Sequence, residues 1–104
     1  MVIIKLRYAP GRPAPGHVAS AIVGVVASGN LEILLERTLP ETECSVEIAT
    51  PVRGYDEVWQ AVIADFVERV SPGGLRISIN DGGARPDTVA LRLMQGVRMM
   101  EAAR

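Results

Sequence analysis

Apolar side chains at Val2, Ile4, Leu6 and Tyr8 alternate with Ile3, Lys5 and Arg7, a period of two that predicts a strand with one buried face. The segment Ala9-Pro10-Gly11-Arg12-Pro13-Ala14-Pro15-Gly16 breaks it. Three prolines and two glycines in eight residues leave few backbone donors, so a mobile surface loop is expected there, suited to an interaction arm. Apolar positions resume from Val18 to Val26 on both parities, which predicts a strand with both faces partly covered. Ser28-Gly29-Asn30 supplies residues that tolerate positive φ, and Leu31, Ile33 and Leu35 then alternate with Glu32, Leu34 and Glu36, so the two runs are expected to form a tight hairpin. Cys44, Val46, Ile48 and Thr50 predict a further strand ending before Pro51.

The period changes after Tyr55. Val58, Trp59, Val62, Ile63, Phe66, Val67 and Val70 fall three and four apart, forming one stripe of a helix that Ser71-Pro72-Gly73-Gly74 stops. Asp56 and Glu57 sit near its start, where carboxylates favour the positive end of the helix dipole. Leu75, Ile77 and Ile79 predict a short strand, and Asn80-Asp81-Gly82-Gly83 a turn. Pro86 suits the first turn of a last helix lined by Val89, Ala90, Leu93, Met94, Val97 and Met100. The expected fold class is α+β in the order β-ββ-β-α-β-α, a mainly antiparallel sheet with two helices on one face.

Length and composition confine this pattern to one module spanning residues 1–104, since 104 residues at 48% hydrophobic and 22% charged content support a single core. Eleven basic and twelve acidic side chains leave a formal net charge of −1, which disfavours nucleic acid and anionic membrane as partners. No secretory signal opens the chain, and no apolar run approaches the roughly 20 residues that span a bilayer. One cysteine, Cys44, excludes an internal disulfide and a cysteine metal cluster, so a reducing cytoplasm is the expected compartment.

Catalysis requires converging groups, yet the chain has one histidine, one cysteine and no Gly-x-Ser-x-Gly elbow, so no catalytic residue and no metal site is expected. His17 reads as a neutral residue beside the Pro/Gly loop, Cys44 as a small apolar strand residue, and Trp59 as a core anchor. Met94, Met99 and Met100 read as packing plus a frayed end. Asp81-Gly82-Gly83-Ala84-Arg85-Pro86 lacks the spacing of either nucleotide-binding glycine motif and reads as a turn fixing the angle between strand and helix, with Arg85 available to a phosphate or a carboxylate.

Ser28 alone would pass for an ordinary turn residue. Three stretches in this order, however, are similar to the acyl carrier (δ subunit) family of malonate decarboxylase: Ala27-Ser28-Gly29-Asn30-Leu31-Glu32, the Trp59-bearing helix, and Ile77-Ser78-Ile79-Asn80-Asp81-Gly82-Gly83-Ala84-Arg85-Pro86 running into Val89-Ala90-Leu91-Arg92-Leu93. The resemblance covers nearly the whole chain. It departs from the family pattern at Asn30, where aspartate is frequent, and at Gly82, where a bulkier residue is usual.

The resemblance implies that the Ser28 hydroxyl is esterified through phosphate to a 2'-(5''-phosphoribosyl)-3'-dephospho-CoA arm, which carries acetyl or malonyl as a thioester. It implies partners as well: acyl transferase and decarboxylase subunits of one complex, and the transferase that loads the arm. The citrate lyase carrier uses the same type of arm and is the nearest alternative; the leading strand, the Pro-rich loop and Gly83-Ala84-Arg85-Pro86 favour the malonate type. An unmodified interaction module is the alternative from another class.

Overall fold

The computed structural model describes residues 1–102. Its elements run β1 (Val2–Tyr8), β2 (Ser20–Gly24), β3 (Leu31–Arg37), β4 (Cys44–Thr50), α1 (Asp56–Val70), β5 (Leu75–Asp81) and α2 (Pro86–Glu101), in the α+β order the hydrophobic pattern predicts. The strands form one five-stranded sheet ordered β1-β4-β5-β3-β2. β1 pairs with β4, β2 with β3 and β3 with β5, all antiparallel, whereas β4 and β5 are parallel. Parallel neighbours cannot be joined by a tight turn, and α1 is the crossover that this pairing demands.

One parity of every strand faces the helices. Register aligns Ile4 with Ile48, Ile48 with Ile79, Ile79 with Ile33 and Ile33 with Val23, a single apolar row across the whole sheet. Trp59, Ile63 and Phe66 of α1 and Val89, Leu93, Val97 and Met100 of α2 close over that row. Leu31, Ile33, Leu35, Ile77 and Leu93 are fully buried, each worth about 1.5–3 kcal/mol relative to exposure. The opposite face is mixed, with Lys5 and Glu47 paired across β1 and β4 beside exposed Ile3 and Ile22.

Several expectations change in detail. β2 is shorter than the apolar run Val18–Val26 and is covered on one face: Ala21 and Val23 are buried, while Ile22 is exposed. It stops at Gly24, whose φ of 81° brings its backbone against the carbonyl of Leu31, so Val25 and Val26 leave the sheet and stand in solvent. In α2, Ala90 is exposed, and the buried stripe includes Gly96, which the hydrophobic pattern could not flag. A Cβ there would lie 2.6 Å from Leu35 Cδ1, so α2 rests directly on β3 at that point.

The Pro/Gly loop is docked rather than free. Ala14 is buried, its N–H donates to the Gly73 carbonyl at 2.8 Å, and Gly73 N–H donates to the Arg12 carbonyl at 3.2 Å. Ser71, the left-handed residue that ends α1, accepts from Arg12 N–H and donates to Arg12 O through its hydroxyl. Arg37 completes the attachment: its guanidinium donates to the carbonyls of Ala14, Pro15, Val18 and Met100, joining the loop, the approach to β2 and the end of α2. Prolines removed some of the loop's own donors, and Arg37 of β3 together with Ser71 and Gly73 after α1 supply donors instead.

Arg37→Ala is expected to cost about 2–3 kcal/mol in urea unfolding, on the scale of a charge-assisted hydrogen bond, and to expose residues 9–16 to proteolysis. Cys44 is buried, and desolvation pushes its thiol up from 9.0 to about 11. The folded chain holds that proton more tightly than the unfolded chain, so the associated stability is present below pH 9.0 and is lost as pH rises through about 11. A Cys44→Val variant should lack this alkaline decline, as read from urea midpoints across that range.

Candidate functional site

The carboxyl ends of the parallel strands β4 and β5 lie at one end of the sheet, where the β4–α1 and β5–α2 connections meet. Asp81 at the end of β5 is buried and joins them. Its Oδ2 accepts from the Thr50 hydroxyl at 2.8 Å and its Oδ1 from Ala84 N–H at 2.9 Å, while Thr50 Oγ accepts from Val52 N–H at 3.1 Å. A buried carboxylate with these three links fixes the course of residues 81–84.

Ser28 stands on that fixed base. The connection from β2 to β3 is a six-residue loop, Val25–Asn30, rather than the tight hairpin expected from the sequence. Within it, Asn30 N–H donates to Ala27 O at 2.9 Å, closing a turn whose middle residues are Ser28 and Gly29. Gly29 has a φ of 77°, the positive value a type II turn requires at its third position. Gly29 N–H donates to the carbonyl of Gly82 at 2.9 Å, and Gly82 N–H donates to the carbonyl of Asn30 at 2.7 Å, so two backbone bonds stitch the turn to the end of β5. The fit leaves no space for a side chain: a Cβ on Gly82 would strike the carbonyl oxygen of Ala27. The glycine that departs from the family pattern is the residue on which the turn is seated.

Beneath the turn, Asn30 Oδ1 accepts from Leu31 N–H at 2.8 Å and from Arg92 Nε at 3.4 Å, and Arg92 Nη1 donates to Gln95 Oε1 at 3.0 Å. Ser28 itself is exposed, flanked by the exposed Val25 and Val26 and by open space over Gly29. The hydroxyl is presented on a supported turn, reachable from solvent.

The other candidate residues lie elsewhere. His17 precedes β2 and Ser28 follows it, so about 17 Å of strand separates them. Cys44 opens β4 opposite Tyr8, at the far end of the sheet, and its burial withholds the thiolate. Trp59 is buried in the core, as its place in the helical stripe predicts. Arg85 is exposed and pairs with Asp87 at 3.5 Å. A cavity of about 170 Å³ beside the Gly83–Arg85 loop is walled mainly by Val52, Tyr55, Trp59 and Val89, and its one carboxylate, Asp81, is already committed to Thr50 and Ala84. Among the described residues, no group of three or more His, Cys, Asp or Glu side chains is placed to hold a metal ion. The sequence marks Asn30 and Gly82 as turn residues and departures from the family pattern but gives no role to them as supports or to Arg92 at all, because those roles arise from contacts between segments distant in the chain.

Comparison with known proteins identifies the family. The family model described as malonate decarboxylase delta subunit (MdcD) matches residues 18–100. A malonate decarboxylase acyl carrier protein of Bradyrhizobium diazoefficiens is 62% identical over 95 residues, 91% of this chain and 90% of that protein. One from Xanthomonas euvesicatoria is 45% identical over 103 residues, covering 99% and 98% of the two chains. In a crystal structure of a Pseudomonas malonate decarboxylase hetero-tetramer in complex with malonate, one chain superposes with a TM-score of 0.84 at 36% identity, over 96% of this chain and 99% of that one. Similarity at this level over almost the full length places the chain in the malonate decarboxylase acyl carrier protein (δ subunit) family.

Proposed function

We propose that the chain is a non-catalytic carrier, a single domain over residues 1–104, that bears a phosphoribosyl-dephospho-CoA arm on the Ser28 hydroxyl and presents it in turn to acyl transferase and decarboxylase subunits of a cytoplasmic complex. The observation that carries this reading is the Ser28 turn itself: an exposed hydroxyl on a turn bonded at Gly29 and Asn30 to the end of the central strand. The residues present suit a group joined through phosphate. Ser28 Oγ is accessible, no atom lies within 4 Å of a Cβ placed on Gly29, and the arginine at the base of the turn has neutral partners.

When bound, the arm supplies a thiol on which an acyl group is held as a thioester. The protein supplies a fixed origin for it. Gly82 and Asp81 hold the attachment point against the sheet, and the core beneath keeps the carrier body rigid. Rigidity at the base and freedom beyond it raise the effective concentration of the acyl group at sites within reach to about millimolar without tight binding of the carrier body.

Ser28→Ala should fold with an unchanged melting temperature, fail to gain mass when produced with the loading transferase, and give a complex without malonate decarboxylation. Unaltered turnover from that variant would refute the carrier role of Ser28. Gly82→Val should displace the turn through its collision with Ala27, slowing loading at least tenfold and lowering stability by about 1–3 kcal/mol, as followed by intact mass and urea unfolding.

A further inference from the structure

We propose that Arg92 is a phosphate seat: its guanidinium holds the anionic phosphodiester that joins Ser28 to the arm, and so positions the first segment of the arm against the protein. This inference rests on Ser28 being the attachment point.

Three observations lead to it. The first is position. Arg92 reaches from α2 to both ends of the Val25–Asn30 loop: its Nε donates to Asn30 Oδ1, two residues after Ser28, and its Cδ lies 3.6 Å from where Gly24 would carry a Cβ. The second is charge. Arg7, Arg69 and Arg85 face the carboxylates of Glu43, Asp65 and Asp87, whereas the partners of Arg92 are the neutral amides of Asn30 and Gln95. The buried parity of β3 faces the helices, which places Glu32 on the other side of the sheet from α2. A half-buried cation with no carboxylate partner among the described residues is favoured by any anion brought beside it.

The third is unused capacity. Arg37 spends its donors on four main-chain carbonyls and is a structural clamp. Arg92 makes one bond to Asn30, long at 3.4 Å, and one to Gln95, which leaves N–H groups without a protein acceptor among the described residues. A phosphodiester accepts such donors in pairs, a geometry that suits a guanidinium better than an ammonium. Asn30 contributes by holding the Arg92 side chain under the turn, and an amide does so without neutralising it. Aspartate at this position would compete with the phosphate for the same cation.

The test uses the full chain produced with its loading transferase, with intact mass establishing that the arm is present and Ser28→Ala establishing where. Phosphorus NMR of the loaded protein then resolves the serine phosphodiester, assigned by its coupling to the Ser28 β protons, from the pyrophosphate of the arm. In the parent protein the phosphodiester line should be shifted and broadened relative to that of Arg92→Gln, with Arg92→Lys between them. It should move towards the Arg92→Gln position at about 1 M salt, where the screening length falls to about 3 Å, while the pyrophosphate lines respond equally in all variants. A phosphodiester line that is the same in parent and Arg92→Gln, or insensitive to salt in the parent, overturns the seat while leaving Ser28 as the attachment point. If Arg92→Gln does not fold, the salt response of the parent decides alone. Absence of the arm from Ser28 in the parent overturns both readings.

Discussion

Strand β5 is paired on both edges, parallel to β4 and antiparallel to β3, and this double pairing is the constraint from which the rest of the structure follows. Its inward residues Leu75, Ile77 and Ile79 are buried under the helices, so a slip of one residue would turn Arg76, Ser78 and Asn80 into the core. Register is therefore fixed, and with it the height at which β5 ends. Asp81 is the last residue of that register, and its carboxylate ties the two neighbouring connections together. Gly82 follows, and the Ser28 turn sits on Gly82. The Ser28 hydroxyl thus inherits its place from a central strand paired on both edges, although it lies in a loop beside the edge strand β2.

This arrangement separates two requirements that a single loop would otherwise have to reconcile. A carrier needs an accessible hydroxyl, which favours an open loop, and a defined origin for its arm, which favours a rigid one. Ser28 has the first through its exposure, and Gly29, Asn30 and Gly82 provide the second through backbone bonds that solvent competition alone would not maintain in an isolated six-residue loop. Arg92 adds a charge at the base of the turn whose partners among the described residues are neutral amides. The rest of the molecule is devoted to holding this end of the sheet still, with Arg37 and Ser71 fastening the opposite end.

The order of elements was legible in the sequence because both periodicities were clean. Leu75–Ile79 alternates without interruption, Val2–Tyr8 and Cys44–Thr50 do so but for Ile3 and Ala49, and Trp59, Ile63 and Phe66 mark the inner face of α1. Less legible were features set by contacts between distant residues. The Pro/Gly loop looks unstructured by composition, but its carbonyls are claimed by Arg37 and Gly73, partners that local pattern cannot reveal. Val25 and Val26 look like a continuing strand, yet Gly24 ends β2 by its close approach to Leu31. Ser28 carried a recognisable signal only through family resemblance. The supporting roles of Gly82 and Arg92 were not legible, because a glycine in a turn and an arginine on a helix are ordinary until the fold brings them to the same place.

The central claim is that the Ser28 oxygen is covalently occupied in the working protein. Peptide mapping by mass spectrometry of the carrier taken from an active complex in its native host tests this most directly. The account predicts a peptide spanning Ala27-Ser28-Gly29 heavier by the mass of one phosphoribosyl-dephospho-CoA group, fragmenting with the modification on Ser28. An unmodified Ser28 peptide from a fully active complex, or the same group on another side chain, would contradict it.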